Sequence, residues 1–330
     1  MPHVLSFGEI LIRQQSVGDS FFGSQQNLLR IYPGGSEANV ATSLALMGTP
    51  VQYASAFPEN KLSTEILALL EEKGVDCQKC LHIGDRLGAY LLLSANGLSK
   101  GEVIYDRKYS SFSQLKAEDI DFDCLFADVD WLHWTALTPA LNQEMADLTK
   151  RLLEEAKARN IYISVDLNYR NRLWQYGKEP LEIMPPLLDY CHVIMGNIWA
   201  AHTMVGIALP DQLDRNSDIQ EMIAAANVSA AALFSKYPQL EHVANTFRFM
   251  DNPKHNLFFG TYHNRQEHTV SRVFETYDII DRIGSGDAFM AGFIHALRQT
   301  KDPKRIIDIA TGAGYQKLFV EGDFGNGKFE

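Results

Sequence analysis

Short apolar runs alternate along this chain with longer stretches whose apolar positions recur at helical spacing. His3 to Phe7, Val51 to Phe57, Trp131 to Trp134, Ile161 to Asp166, His192 to Met195 and His242 to Phe247 read as strands. Ser36 to Met47, Lys61 to Lys73, Pro139 to Arg159, Asp218 to Ala226, Asp287 to Gln299 and Pro303 to Leu318 read as helices. In the third of these, Leu148, Leu152, Ala156 and Arg159 lie near one stripe while Glu154 and Glu155 fall off it, which predicts an amphipathic cover helix. Alternation of this kind predicts an α/β fold, a mostly parallel sheet sandwiched by helices.

Two regions break the alternation. Residues 13–31 and 87–111 carry strand-like stretches, such as Ala89-Tyr90-Leu91-Leu92-Leu93 and Glu102-Val103-Ile104-Tyr105, with no helix between them. They read either as surface hairpins packed on the main sheet or as a small sheet over a ligand. Both follow strands whose ends should face one crevice, where open α/β sheets bind ligands, and this favours the second arrangement. The length allows one large domain or two smaller ones. No low-complexity linker or internal repeat is visible, so a single domain over 1–330 is expected.

The chemistry concentrates at Asp281-Arg282-Ile283-Gly284-Ser285-Gly286-Asp287, which runs straight into the apolar, helix-compatible segment Ala288 to Leu297. Two glycines around a small residue let successive backbone N–H groups turn inward, and the helix that starts there points its positive dipole end at the same spot. That is an anion hole suited to a phosphate. The Asp287 carboxylate has two readings: a base that takes the proton of a hydroxyl attacking the phosphate, or an N-cap after a glycine turn. Phe289 stands where a dinucleotide fingerprint needs its third glycine, and Gly-Lys-Ser/Thr occurs nowhere, so a dehydrogenase and a P-loop NTPase are disfavoured.

The net charge of −11 argues against nucleic acid or an anionic membrane as the main partner, so local basic residues must do any anion binding. The start has no basic leader, and no apolar run is long enough to span a bilayer; a cytoplasmic protein is expected. Cys77, Cys80, Cys124 and Cys191 are too few and too scattered for a disulfide framework. Cys77 and Cys80 have the spacing of half a zinc site but lack a second pair, and coincidence is the better reading.

Together with the glycine motif, Gly34-Gly35-Ser36-Glu37-Ala38-Asn39-Val40-Ala41 resembles the two signatures of the ribokinase-like (PfkB) carbohydrate kinases. The resemblance runs from Gly8-Glu9 to Gly322-Asp323-Phe324. Further pieces are similar to 2-keto-3-deoxygluconate kinases: Gly88-Ala89-Tyr90, Tyr105-Asp106-Arg107 with Ser110 to Ser113, Asp166-Leu167-Asn168-Tyr169-Arg170 with Leu173-Trp174, and the Asp-Arg-Ile form of the glycine motif.

The resemblance implies ATP- and Mg2+-dependent transfer of phosphate to the terminal hydroxyl of a sugar acid, 2-keto-3-deoxygluconate giving its 6-phosphate. Fructokinase or another hexose kinase is the nearest alternative, and a non-catalytic sugar- or nucleotide-binding protein is the alternative of another class. It assigns Asp287 as base, the amides of Gly284, Ser285 and Gly286 to the transferring phosphate, and Gly34, Gly35, Asn39, Tyr90, Tyr105, Arg107 and Arg170 to the sugar. The two arginines suit a carboxylate. For Gly34-Gly35 a plain turn before a helix remains open.

Family members carry Asn-x-x-Glu where this chain has Asn197-Ile198-Trp199-Ala200, so Asn197 is expected near nucleotide and Mg2+ while Ala200 lacks the carboxylate. Asp281 corresponds to a loop that contributes to a monovalent-cation site in many relatives, although Arg282 and Ile283 replace the usual threonines; dependence on K+ is left open. The two insertions are implied to form a β-sheet lid, whose open edge invites a homodimer or larger homo-oligomer.

Overall fold

Six parallel strands form the centre of the molecule, and they are the six runs that read as strands. The computed structural model describes residues 2–17, 21–22, 28–93, 102–214, 217–249 and 255–330. Its strands are β1 His3–Phe7, β2 Leu11–Ser16, β3 Leu29–Gly34, β4 Val51–Ala54, β5 Ala56–Phe57, β6 Leu81–His82, β7 Gly88–Leu93, β8 Glu102–Asp106, β9 Val129–Thr135, β10 Tyr162–Asp166, β11 Val193–Met195, β12 His242–Phe249, β13 Asn256–His263, β14 His268–Val270 and β15 Phe274–Thr276. Its helices are α1 Ser36–Leu46, α2 Lys61–Glu72, α3 Phe122–Leu125, α4 Gln143–Ala158, α5 Pro180–Leu188, α6 Ile198–Val205, α7 Ile219–Lys236, α8 Ser285–Gln299 and α9 Pro303–Gln316.

The main sheet has the order β14-β13-β12-β11-β10-β9-β1-β4, with β15 also paired to β13. From β4 to β12 it is parallel; β13, β14 and β15 complete it antiparallel. The chain leaves β1 toward β4 on one side and β9 on the other, so the order reverses there and a crevice opens at the carboxyl ends of the strands. Residues alternate between the two faces, as strand geometry requires. Leu5 and Phe7 of β1 enter one apolar cluster with Leu132, Leu148, Leu152 and Leu187, while Val4 enters the other with Tyr53, Phe289, Phe293 and Ile307. Helices thus cover both faces, and none among the described residues is long and apolar enough to cross a membrane.

Helix boundaries shift where caps decide them. α4 begins at Gln143 rather than Pro139, because Asn142 caps it by accepting the N–H of Met145 at 2.8 Å. α7 runs to Lys236 rather than stopping at Ala226. α5 and α6 were not legible as helices; α5 hides behind Pro180 at its start and Pro185 and Pro186 within it. The β12–β13 hairpin was likewise read only as far as its first strand.

A second sheet of order β3-β2-β7-β8 joins the two irregular regions. β2 and β3 pair antiparallel from Leu11 opposite Gly34, β7 and β8 pair antiparallel with Tyr90 opposite Tyr105, and β2 runs parallel to β7 with Arg13 beside Tyr90. The insertions therefore do meet in one small sheet, with strands that reach Leu11 and Gly34, beyond 13–31. Within the expected spans, residues 18–20, 23–27 and 94–101 lie outside the described residues.

Candidate active site

Two helices begin at one cleft, and both begin on glycine. Gly35 caps α1 at φ 148, and a Cβ there would sit 2.2 Å from the Glu9 carbonyl oxygen; Gly284 caps α8 at φ 82, where a Cβ would sit 2.1 Å from the Asp323 carbonyl oxygen. No other residue fits either place. Neither cap supplies a side-chain hydrogen bond, whereas Asn60, Asn142, Asn197, Asp218 and Asp302 cap α2, α4, α6, α7 and α9. The first-turn amides of Gly286 and Asp287 have no intrahelical acceptor, while that of Ser285 turns back to the Arg282 carbonyl at 3.3 Å. A Cβ on Gly286 would meet no atom within 4 Å, so this glycine borders open space, in a cleft of about 470 Å³. The amides, the dipole and the space together suit an anion.

Asp287 is the third residue of α8, and its carboxylate does not cap the helix. It faces the N-terminus of α1 instead. Ser36 donates its hydroxyl to Oδ1 at 2.5 Å, Asn39 donates Nδ2 to Oδ2 at 2.7 Å, and Asn168 donates Nδ2 to the Ser36 oxygen at 2.9 Å. Burial pushes the Asp287 carboxyl above its ordinary value, and the bonds from Asn39 and Ser36, then the charges of Arg170 and Lys317, pull it back. Asn39 keeps its Oδ1 buried without a hydrogen-bond partner, and the residue lines the cleft.

Arg107, Arg170, Arg248 and Arg282 all line this cleft. Arg248, on β12, was missed by sequence reasoning; nothing marks one arginine in Thr246-Phe247-Arg248-Phe249 until the strand is placed. It donates Nη2 to the Ser285 hydroxyl at the mouth of the anion hole. Its side chain is open to solvent yet enclosed by the cleft, and this enclosure, with the like charges of Arg282 and Arg170, lowers it to about 10.

Tyr90 and Tyr105, with ring centroids 6.3 Å apart, and the carboxylates Asp166 and Asp323 line the same cleft. Burial pushes both carboxyls up to about 7. Gly35, Asn39, Tyr90, Tyr105, Arg107, Arg170, Asn197, Gly284, Ser285, Gly286 and Asp287 all line the cleft as expected, but Gly34 does not. A Cβ on Gly34 would lie 2.3 Å from Asp323 Oδ2, so that glycine makes room for the aspartate. Arg107 also departs from expectation. Its Nε and Nη2 both lie 2.7 Å from Glu9 Oε2, and the pair is buried, so Arg107 already has a counter-charge. Among the described residues Arg170 has no ion-pair partner, and it is exposed to the cleft.

The metal expectations also shift. The Asn197 side-chain oxygen accepts the N–H of Ala200 at 2.8 Å, and the Ala200 methyl is buried in the core. Among the described residues no three His, Cys, Asp or Glu side chains group to hold a metal. The Asp281 carboxylate, left open as a possible monovalent-cation ligand, has protein partners on both oxygens. It is bound by the guanidinium of Arg13 at 2.6 Å and by the N–H groups of Ile283 and Gly322 at 3.0 and 3.2 Å.

Known proteins share this arrangement of helices and sheets. Residues 1–239 match the model of the pfkB family carbohydrate kinases. The chain is 24% identical to a 2-dehydro-3-deoxygalactonokinase of Haloferax volcanii, over 97% of its own length and 92% of that protein. It is 34% identical over 142 residues to a 2-dehydro-3-deoxygluconokinase of Bacillus subtilis, covering 42% of this chain and 43% of that one. The crystal structure of a 2-dehydro-3-deoxygluconokinase from Thermotoga maritima superposes with a TM-score of 0.88 at 28% identity, covering 99% of this chain and 95% of that chain. With paired glycine-capped helices at the mouth of such a sheet and a family match over most of its length, the chain belongs to the pfkB family of carbohydrate kinases.

Proposed function

We propose that this carbohydrate kinase phosphorylates the terminal hydroxyl of a 2-keto-3-deoxy sugar acid, 2-keto-3-deoxygluconate first among them, with ATP as donor. The observation that carries the acid assignment is Arg170. It lies on the cleft wall with no ion-pair partner among the described residues, close enough to Asp166 and Asp287 to pull both carboxyls down. A guanidinium in that position suits a substrate carboxylate. The names of the Haloferax, Bacillus and Thermotoga proteins describe kinases of such acids and support the same choice.

The sugar hydroxyl gives its proton to Asp287 as its oxygen bonds to the γ-phosphorus, and the bond from that phosphorus to the β,γ-bridging oxygen breaks. Ser36 and Asn39 hold the two oxygens of Asp287 in place for this transfer. The Gly286 and Asp287 amides and the Arg248 guanidinium stabilise charge on the moving phosphoryl group. The small sheet brings its Tyr90 and Tyr105 to the cleft and would keep water, a competing nucleophile, from the phosphate. Mg2+ carried by the nucleotide would neutralise phosphate charge while keeping several waters, and Asn197 and Asp166, which line the cleft, would hold it through them.

A neutral hexose is the second reading, and the Arg107–Glu9 pair favours it, since it leaves one guanidinium rather than two for a carboxylate. Measuring kcat/KM for 2-keto-3-deoxygluconate, 2-keto-3-deoxygalactonate and fructose, in wild type and Arg170→Ala, separates the readings. The acid reading expects a loss of about 10- to 100-fold confined to the acids. Equal losses, or a wild type that prefers fructose, assign the protein to the hexose kinases.

A further inference from the structure

Arg13 is the most deeply buried cation of the small sheet, and its partners lie far away in sequence. Its side chain is 0% exposed. Nη2 and Nη1 reach Asp281 at 2.6 and 3.4 Å, Nε lies 3.0 Å from Asp323 Oδ1, and the Tyr32 ring covers the guanidinium at 4.3 Å. Both aspartates shape the anion hole. Asp281 opens the loop that leads to Gly284, its Oδ1 accepting the Ile283 N–H, and Asp323 supplies the carbonyl against which Gly284 packs. Lys317, also fully buried, is held near the same two carboxylates and donates to the Val320 carbonyl at 2.9 Å; burial lowers it to about 8.

Two carboxylates behind a phosphate site repel the phosphate unless a cation stands between them. A metal ion does not fit that place here, because Arg13 and two backbone amides occupy both oxygens of Asp281. We propose that Arg13 is the built-in counter-cation of the anion hole, cancelling Asp281 and Asp323 behind Gly284 and holding that loop to the small sheet, so that phosphoryl transfer needs no free monovalent cation. Arg13 touches neither sugar nor phosphate; it is a positioning residue. The proposal rests on the reading of Gly284 to Asp287 as the phosphate site. ATP affinity measured by calorimetry tests it without turnover, so an error in the sugar assignment leaves the result intact.

The experiment compares wild type, Arg13→Met and Arg13→Met/Asp323→Asn in sodium, potassium and tetramethylammonium chloride at equal ionic strength, with and without low guanidinium chloride. ATP affinity, kcat/KM and melting temperature are read for each. Wild type should respond to the choice of cation by less than about twofold, and Arg13→Met should lose about tenfold or more in ATP affinity and kcat/KM. Guanidinium or potassium should restore part of that loss, and Asp323→Asn should raise the melting temperature of Arg13→Met. Should Arg13→Met fail to fold, the double variant decides: folded, it supports the proposal, and unfolded, it overturns it. A wild type that requires potassium overturns it as well, as does a folded Arg13→Met that keeps wild-type affinity or that neither added cation nor Asp323→Asn improves.

Discussion

Ser36 donates its hydroxyl to Asp287 at 2.5 Å, joining two residues 251 positions apart. The bond fixes the start of α1 to the start of α8, so the two glycine-capped helix ends form one site. It also stabilises the ionised form of Asp287, against burial, which favours the neutral one. A base must be ionised to accept a proton, so activity falls as pH drops through its pKa. Because burial raises that pKa, the acid limb of the kcat/KM profile should lie above that of an ordinary aspartate. Ser36→Ala should move the limb further toward neutral and lower kcat by about 3- to 10-fold, as loss of one hydrogen bond implies. An unmoved limb in the pH profile contradicts the pairing.

Gly284 and Gly286 should respond oppositely to alanine. At Gly284 the backbone is left-handed and the Asp323 carbonyl blocks a Cβ, so Gly284→Ala should lower the melting temperature, with a cost of about 1 kcal/mol or more. At Gly286 a Cβ meets no atom within 4 Å. Gly286→Ala should fold as well as wild type or gain up to about 1 kcal/mol from helix propensity, yet lose ATP affinity because the methyl enters the anion's space. Melting curves with nucleotide titrations check both.

Asp166 carries a pH signature of its own. Burial raises its pKa from 3.8 to about 7. The fold therefore binds this proton more tightly than the unfolded chain, and its contribution to stability is full below 3.8 and lost as pH rises to about 7. Asp166→Asn should raise the melting temperature relative to wild type at about pH 8, with the gain shrinking toward about pH 4. Thermal melts across that range read the sign directly.

Arg248 should contribute to phosphate binding rather than to sugar choice. Arg248→Ala removes the guanidinium beside Ser285 and should weaken kcat/KM by about 10- to 100-fold for acid and neutral sugars alike. A loss confined to the acids would move Arg248 to the sugar side of the cleft.

The parallel sheet was legible because its six strands are buried on both faces and read as apolar runs, and α1, α2, α8 and α9 because their periodicity is undisturbed. What escaped depended on partners distant in sequence. The prolines of α5 argue locally against a helix that packing sustains. Arg248 matters only once the fold brings it to Ser285 at the start of α8, and nothing local distinguishes it from a surface charge. Arg107 shows the same limit from the other side: its motif pointed to the cleft, and the structure agrees, but Glu9, 98 positions away, supplies the charge expected of a ligand. For Asp281 the sequence left a cation role open, because nothing local shows that Arg13, 268 positions away, folds onto its carboxylate.

On the proposed reading, Asp287 is the base of a phosphoryl transfer. Asp287→Asn keeps the shape of the side chain and an oxygen able to accept from Ser36, but removes the proton acceptor. The direct measurement is single-turnover phosphorylation by this variant, with ATP and sugar affinities determined in parallel. A fall in rate of at least about 100-fold with both affinities within about threefold of wild type is the result predicted. A variant that binds both ligands and turns over at the wild-type rate contradicts the account.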